Sequence, residues 1–229
     1  MREIVMDTET TGLDPMSGDR IVEIGGVELL NHLPTGRVYH QYINPERDMP
    51  QEAFDVHGLS EEFLSDKPVF KAVAQDFVDF VGDAKLVIHN AAFDMKFLNA
   101  ELIWADMQRL PMDQATDTLA IARKKFPGAQ NSLDALCRRF GIDNSARTKH
   151  GALLDSEILA EVYLELIGGR QPDFALNVVA GRDVASQSDG DWKVPPRANP
   201  LKPRLTAAEK EAHENFVGTL GDDPIWFRK

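Results

Sequence analysis

The sequence holds one cysteine, Cys137, among 229 residues, so no intrachain disulfide can brace it. That cysteine falls on the apolar stripe of a helical pattern and reads as a small buried hydrophobe. Long apolar runs are missing too: none approaches the roughly 18 residues needed to span a bilayer. No charged start leads into an apolar segment of the signal-peptide kind. These absences describe a soluble protein of a reducing, cytoplasmic compartment, with no membrane partner. Positive charge is the third scarcity. Only 25 Lys and Arg stand against 37 acids, for a formal charge of -12. Such a chain gains little long-range attraction to a nucleic acid backbone, because that affinity comes from Lys and Arg replacing counterions. If the substrate is a nucleic acid, metals must mask acidic side chains at the site or a partner must supply the grip.

Hydrophobic residues make up 43% of the chain, enough for one domain of roughly 150 to 200 residues plus an appendage. Strands are expected at residues 3–7, at 20–30 and at 38–43, with Asn31-His32-Leu33-Pro34 as the turn between the last two. Their short polar links point to an antiparallel meander, since parallel neighbours need a crossover of a dozen or more residues. The period then changes. Val69, Val73, Phe77, Phe80 and Val81 predict an amphipathic helix over 68–81. Leu86-Val87-Ile88 reads as a short strand in the buried middle of a sheet. Further helices are expected around Phe93 to Leu102, over 118–126, over 131–140 with Asn131 or Ser132 as cap, and over 152–167.

Beyond Gly169 the texture is that of a linker, with five of the 13 prolines between residues 172 and 203. Thr206 to Glu209 has the form of a capping box and opens a helix reaching about Leu220. The ending contains Ile225-Trp226-Phe227. So short a helix cannot bury its apolar face alone and must dock on something. The organisation is therefore a domain over 1–169, a linker over 170–204 and a helical, aromatic tail over 205–229.

Asp7 and Glu9 stand two apart at the end of an apolar strand, so both carboxylates leave one face of the sheet. Paired like charges are unfavourable unless a cation lies between them. Alone, a D-x-E pair is more often charged surface. Asp94 sits where the strand 86–88 passes through His89-Asn90 into a helix, at a strand end where α/β sheets bind ligands. Taken alone, an Asp in a first helical turn is ordinary dipole chemistry. Asp155 lies just inside the last domain helix, and His150 precedes it on a segment free to swing, which suits a rigid ligand beside a base. Four carboxylates without thiolates suit hard cations, so two Mg²⁺ or Mn²⁺ ions fit better than structural zinc. Convergence on one side of a sheet is expected.

Asp7-Thr8-Glu9-Thr10-Thr11-Gly12, His89 to Asp94 and the His150 to Asp155 spacing resemble the three motifs of the DEDDh family of 3′-to-5′ exonucleases. Over Ile4 to about Gly169 the chain is similar to members of that family that proofread for bacterial replicative polymerases, with Asn131 to Cys137, Thr148 to Asp155 and Ile158 to Tyr163 as further matches. The resemblance implies a ribonuclease H-like α/β fold, a mixed sheet with three antiparallel N-terminal strands flanked by helices. It implies that Asp7, Glu9 and Asp155 ligate the ion holding the nucleophilic water, that Asp7 and Asp94 hold a second, and that His150 is the general base. Contacts to the substrate's 3′ end are implied for Asp7, Glu9, Thr10, Leu13 and Asp155. Further contacts fall to Glu52, Val56 and His57 on a loop over residues 51–58, and to Phe93. Single-stranded or frayed DNA 3′ ends are the implied substrate, released as 5′-monophosphates. Glu211-Ala212-His213-Glu214 and the Trp226 ending resemble the segment that holds the catalytic (alpha) subunit of bacterial DNA polymerase III, with Phe216, Leu220, Ile225, Trp226 and Phe227 as the expected anchors. Some such nucleases also carry a small third core subunit, on which the sequence is silent. The rivals are a free-standing DEDDh exonuclease of RNA or short oligonucleotide ends, which needs no docking tail, and a non-catalytic scaffold, which needs no carboxylate cluster.

Overall fold

The computed structural model describes residues 1–145, 147, 149–169 and 205–219. The chain divides into two units, Met1–Ala175 and Leu176–Lys229. In the first, five strands form one sheet in the order β3-β2-β1-β4-β5. They are β1 (Arg2–Thr10), β2 (Ile21–Leu30), β3 (Leu33–Tyr42), β4 (Lys85–Ile88) and β5 (Ala115–Asp117). β1 and β2 pair antiparallel with Asp7 opposite Gly25, and β2 and β3 do likewise. β4 runs parallel to β1 with Ile4 opposite Leu86, and β5 continues the parallel side. The β2–β3 turn is only Asn31-His32, both at positive φ, the two-residue geometry that matches strand twist. Leu33 and Pro34 therefore belong to β3 and not to the turn, with Pro34 tolerated because β3 is a sheet edge.

Side-chain alternation along β1 divides the interior. Ile4 and Met6 face one core, together with Phe70 and Phe77 of α3 (Phe70–Val81) and Phe97 and Leu98 of α4 (Ala91–Trp104). Val5 faces the other, with Ala122 of α5 (Thr118–Lys125), Leu136 and Cys137 of α6 (Leu133–Phe140) and Leu159 and Val162 of α7 (Ala152–Leu166). Cys137 is buried there. The helices begin where side chains can close them. Ser132 caps α6 by accepting from the Ala135 amide, and Asp117 caps α5 at Leu119 and Ala120. α3 starts at Phe70 and not at Pro68, whose carbonyl is taken by the Asn44 amide.

Two stretches without a periodic signal are helical. α1 (Gln51–His57) follows Pro50 and ends on Gly58 at φ 74°, and α2 (Glu61–Leu64) is capped by Ser60. The expected loop over 51–58 is thus a two-turn helix. The second unit contributes α8 (Ala207–Gly218), whose capping box between Thr206 and Glu209 is complete. No helix among the described residues is long and apolar enough to cross a membrane.

Candidate active site

The C-terminal end of β1 carries Asp7 and Glu9 on the face that looks toward α7, the face of Val5. Glu9 is buried and its Oε1 accepts no hydrogen bond from the described residues. A β-bulge between Glu9 and Thr10 ends the regular pairing, and the Thr10 hydroxyl turns back to donate to the Gly12 carbonyl at 2.6 Å. Asp155 arrives from the first turn of α7. The approach depends on Gly25, opposite Asp7: a Cβ there would lie 2.2 Å from the backbone of Ala152 and Leu153. The Ser156 hydroxyl sits at the joint, 2.6 Å from the Ala152 carbonyl and 3.1 Å from that of Gly25, and its one proton is shared between them. Glycine at this position lets the helix end rest on the sheet, and so sets the depth of Asp155.

Asp94 comes from the other side. It lies in the first turn of α4, in the opposite layer, and reaches round the end of β1. There its Oδ1 accepts from the Thr8 hydroxyl at 2.7 Å and the Thr8 amide at 3.1 Å. The expectation of four carboxylates converging from one side of the sheet is thus corrected: three share a face and the fourth comes from the opposite layer, held at Thr8. Burial raises Asp7 well above the usual carboxylate range, with Asp94, Glu9 and Asp155 adding to the effect. Burial and Asp155 likewise push Glu9 up to about 8. Asp94 is raised by burial to about 7 despite the Thr8 bonds. Asp155 differs: burial is outweighed by hydrogen bonds from His150 and Arg147, and its pKa lies below the ordinary value.

Arg147 is the residue that sequence reasoning missed. Its guanidinium holds both oxygens of Asp155, donates to Asp134 at 2.8 Å, and lies 2.8 Å from His150 Nδ1. Only its place three residues before a histidine could have marked it. His150 is half exposed, with Nδ1 3.4 Å from Asp155, and its amide donates to the Val56 carbonyl at 3.2 Å. Glu9, His150 and Asp155 offer ligand atoms within 4.8 Å of one another. An oxygen-rich donor set with an orphaned buried carboxylate oxygen fits a hard divalent cation.

The remaining candidates surround this cluster unequally. α1 is tied to the His150 segment through the Val56 carbonyl and through Lys149, which donates to the Phe54 carbonyl at 3.2 Å. Val56 and Glu52 are exposed on it, while His57 is buried and its Nδ1 accepts from the Leu59 amide. Burial drops His57 to about 4, so the ring is neutral. Leu13 is 81% exposed, and Phe93 packs half-buried against Phe97. In the second unit Phe216 is exposed; Leu220, Ile225, Trp226 and Phe227 lie outside the described residues.

The family model described as Exonuclease (RNase_T) matches residues 4–163. A protein named DNA polymerase III subunit epsilon, from Rickettsia conorii, is 58% identical over 230 residues, covering 96% of each chain. The chain belongs to the DNA polymerase III epsilon family of exonucleases. The protein of that name from Escherichia coli is 53% identical to this epsilon-family chain over 176 residues, 74% of this chain and 72% of that one. Among solved structures, the nuclease domain of 3′hExo, a DEDDh family member bound to rAMP, superposes with a TM-score of 0.61 at 21% identity, over 72% of this chain and 91% of that one. Exonuclease I does so at 0.60 and 17% identity, over 72% and 40%. These distant structures share the ribonuclease H-like fold of this epsilon-family chain.

Proposed function

We propose that this chain proofreads for a replicative polymerase, removing mispaired 3′-terminal nucleotides as 5′-monophosphates with Asp7, Glu9, Asp94, Asp155 and His150 as its working residues. The observation that carries the reading is the gathering of four carboxylates from both layers around one sheet end, with Glu9, His150 and Asp155 within 4.8 Å. Two divalent cations, Mg²⁺ or Mn²⁺, held by the carboxylates would supply Lewis-acid stabilisation of the phosphate and lower the pKa of an attacking water. The chain's own contribution is to place and to move protons. Thr8 and Gly25 fix Asp94 and Asp155 against opposite faces of β1, so the donor oxygens are set before substrate arrives. His150, on an exposed segment beside them, takes the proton of the attacking water. His150 Nδ1 is flanked by the Arg147 guanidinium at 2.8 Å and by Asp155 at 3.4 Å, so these two neighbours set the orientation of the ring. Val56 and Phe93 offer apolar surface to a terminal base, with Thr10, Leu13, Glu52 and His57 around it. A mispaired end is selected because it frays more readily, and fraying is the cost of entry.

Residues 205–229 are proposed to tether the nuclease to the polymerase catalytic subunit, with Phe216, Leu220, Ile225, Trp226 and Phe227 as anchors. The deciding experiment incubates the purified chain with single-stranded DNA and tests copurification with that subunit. Release of mononucleotides from the 3′ end and a stable complex are expected. Endonucleolytic products, or attack confined to RNA, would overturn the reading. Removal of everything after Gly169 should leave hydrolysis of single-stranded DNA within about threefold and abolish the complex. Trp226→Ala alone should weaken the complex by roughly 2 kcal/mol.

A further inference from the structure

The four site carboxylates repel a phosphate backbone, and the chain as a whole is strongly acidic. One stretch runs against that balance. Between Thr118 and His150 the sequence has seven Lys and Arg against two acids, Asp134 and Asp143. Several of these cations are committed locally. Arg147 serves Asp155 and Asp134, Lys125 donates to the Glu165 and Leu166 carbonyls, Arg139 stacks on Phe126, and Lys149 on Phe54. Arg123 is exposed and forms no ion pair among the described residues.

Arg123 lines a cleft of about 570 Å³ between α5 and the start of α6, with His89, Leu119, Asn131 and Ser132 among its walls and no carboxylate. Burial lowers the pKa of His89, which keeps its ring neutral and leaves Arg123 as the cleft's charge. Asn131 is more than nine-tenths buried in the wall, and its Oδ1 accepts no hydrogen bond from the described residues. The cleft adjoins the carboxylate site on two sides. The Asn90 amide and the Leu119 amide share one oxygen of Asp117, which pins the turn leading to Asp94 against the start of α5. On the other side a single guanidinium, that of Arg147, spans from Asp134 in the first turn of α6 to Asp155.

We propose that this cleft is a second substrate site, which receives the sugar-phosphate backbone of the single strand upstream of the scissile bond, with Arg123 on a phosphate. The inference rests on the exonuclease reading above and adds the path of the strand. An acidic enzyme thereby holds its polyanionic substrate with a local patch set beside, and not within, the cation-binding cluster. A cation set on a phosphate grips the strand independently of its sequence, as removal of any mispaired nucleotide demands.

The test compares two probes on the full chain. The p-nitrophenyl ester of thymidine 5′-monophosphate fills only the terminal position, whereas an oligothymidylate is long enough to cross the cleft. Arg123→Ala should raise KM for the oligonucleotide by about fivefold or more, as for loss of one charge-assisted phosphate contact. The slope of log affinity against log salt should fall by about 0.7, the value for one phosphate of a single strand. Values for the ester should stay at those of the parent. Lys124→Ala, on the same helix but outside the cleft, should change the oligonucleotide KM less than Arg123→Ala does. Equal effects of the two variants would show a diffuse charged surface and overturn the cleft assignment. So would an unchanged oligonucleotide KM, or an equal loss on both probes, in an Arg123→Ala protein that melts with the parent. A parent inactive on both probes would overturn the nuclease reading, and this inference with it.

Discussion

The two ends of β1 hold buried carboxylates in opposite circumstances. At the first end Glu3 is 1% exposed; Tyr163 donates to its Oε1 at 2.7 Å, and its Oε2 lies 2.7 Å from the His32 ring without a hydrogen bond. Glu28, opposite Ile4, receives Thr35, Arg2 and Arg37, and these bonds hold it below the usual range. At the other end burial and mutual repulsion raise Asp7, Glu9 and Asp94, and of the three only Asp94 accepts side-chain or amide hydrogen bonds among the described residues, from Thr8. The two ends thus differ in how many partners meet each buried acid. At the first end each acid has a donor or a basic side chain beside it, whereas at the other Asp94 and Asp155 are held by Thr8 and Arg147 and, among the described residues, no hydrogen bond reaches Asp7 or Glu9.

This contrast can be broken by mutation, and the largest effect belongs to the unpaired end. Asp7→Asn should reduce exonuclease turnover to background at saturating metal, while its melting temperature in chelator equals or exceeds that of the parent, because a repulsive charge is removed without change of volume. Turnover within about tenfold of the parent would end the assignment of Asp7 as a ligand. Next comes His150→Ala, with an expected loss of about 10²- to 10⁴-fold in turnover and little change in Mn²⁺ affinity measured by calorimetry. A collapse of that affinity would make His150 a ligand and not a base. Glu3→Ala tests the paired end. It strands the Tyr163 hydroxyl and should cost about 1 to 3 kcal/mol in denaturant unfolding, with metal or without, and leave turnover per folded molecule unchanged. Stability restored by Mg²⁺ would show that the two ends are not separate. The smallest effect is expected of Phe93→Ala, about 1 kcal/mol in single-strand affinity, at the lower end for a base-aromatic contact because the ring is already half engaged with Phe97. A melting temperature that falls while affinity holds would assign Phe93 to the core.

Much of this arrangement was legible in the residues themselves. Period-2 alternation put Asp7 and Glu9 on one face, Ser132 and Thr206 announced their helices, and the wholly apolar Leu86-Val87-Ile88 signalled an interior strand. Other parts depend on tertiary context. β5 is three residues long, too short to show a period, and exists because β4 offers it a pairing edge. α1 has no continuous apolar stripe and is fixed by Pro50, Gly58 and its bond to the His150 segment. That Asp94 crosses from the other layer follows from Thr8 and the packing of α4, which no spacing in the chain encodes. Arg147 looked like one more base in a polar connection until Asp134 and Asp155 were seen on either side of it.

Because Asp94 and Asp155 belong to helices on opposite faces of the sheet, the site is a clasp between two hydrophobic cores. A ligand that needs both carboxylates stabilises both layers together, by about 2.7 kcal/mol at a hundredfold excess over its Kd. Local opening that lifts either helix must first release that ligand, so amide exchange in α4 and α7 should slow in concert when a cation binds. Packing defects beneath either helix, at Phe97 or at Leu159, would then register as weaker cation retention, although neither side chain belongs to the donor set.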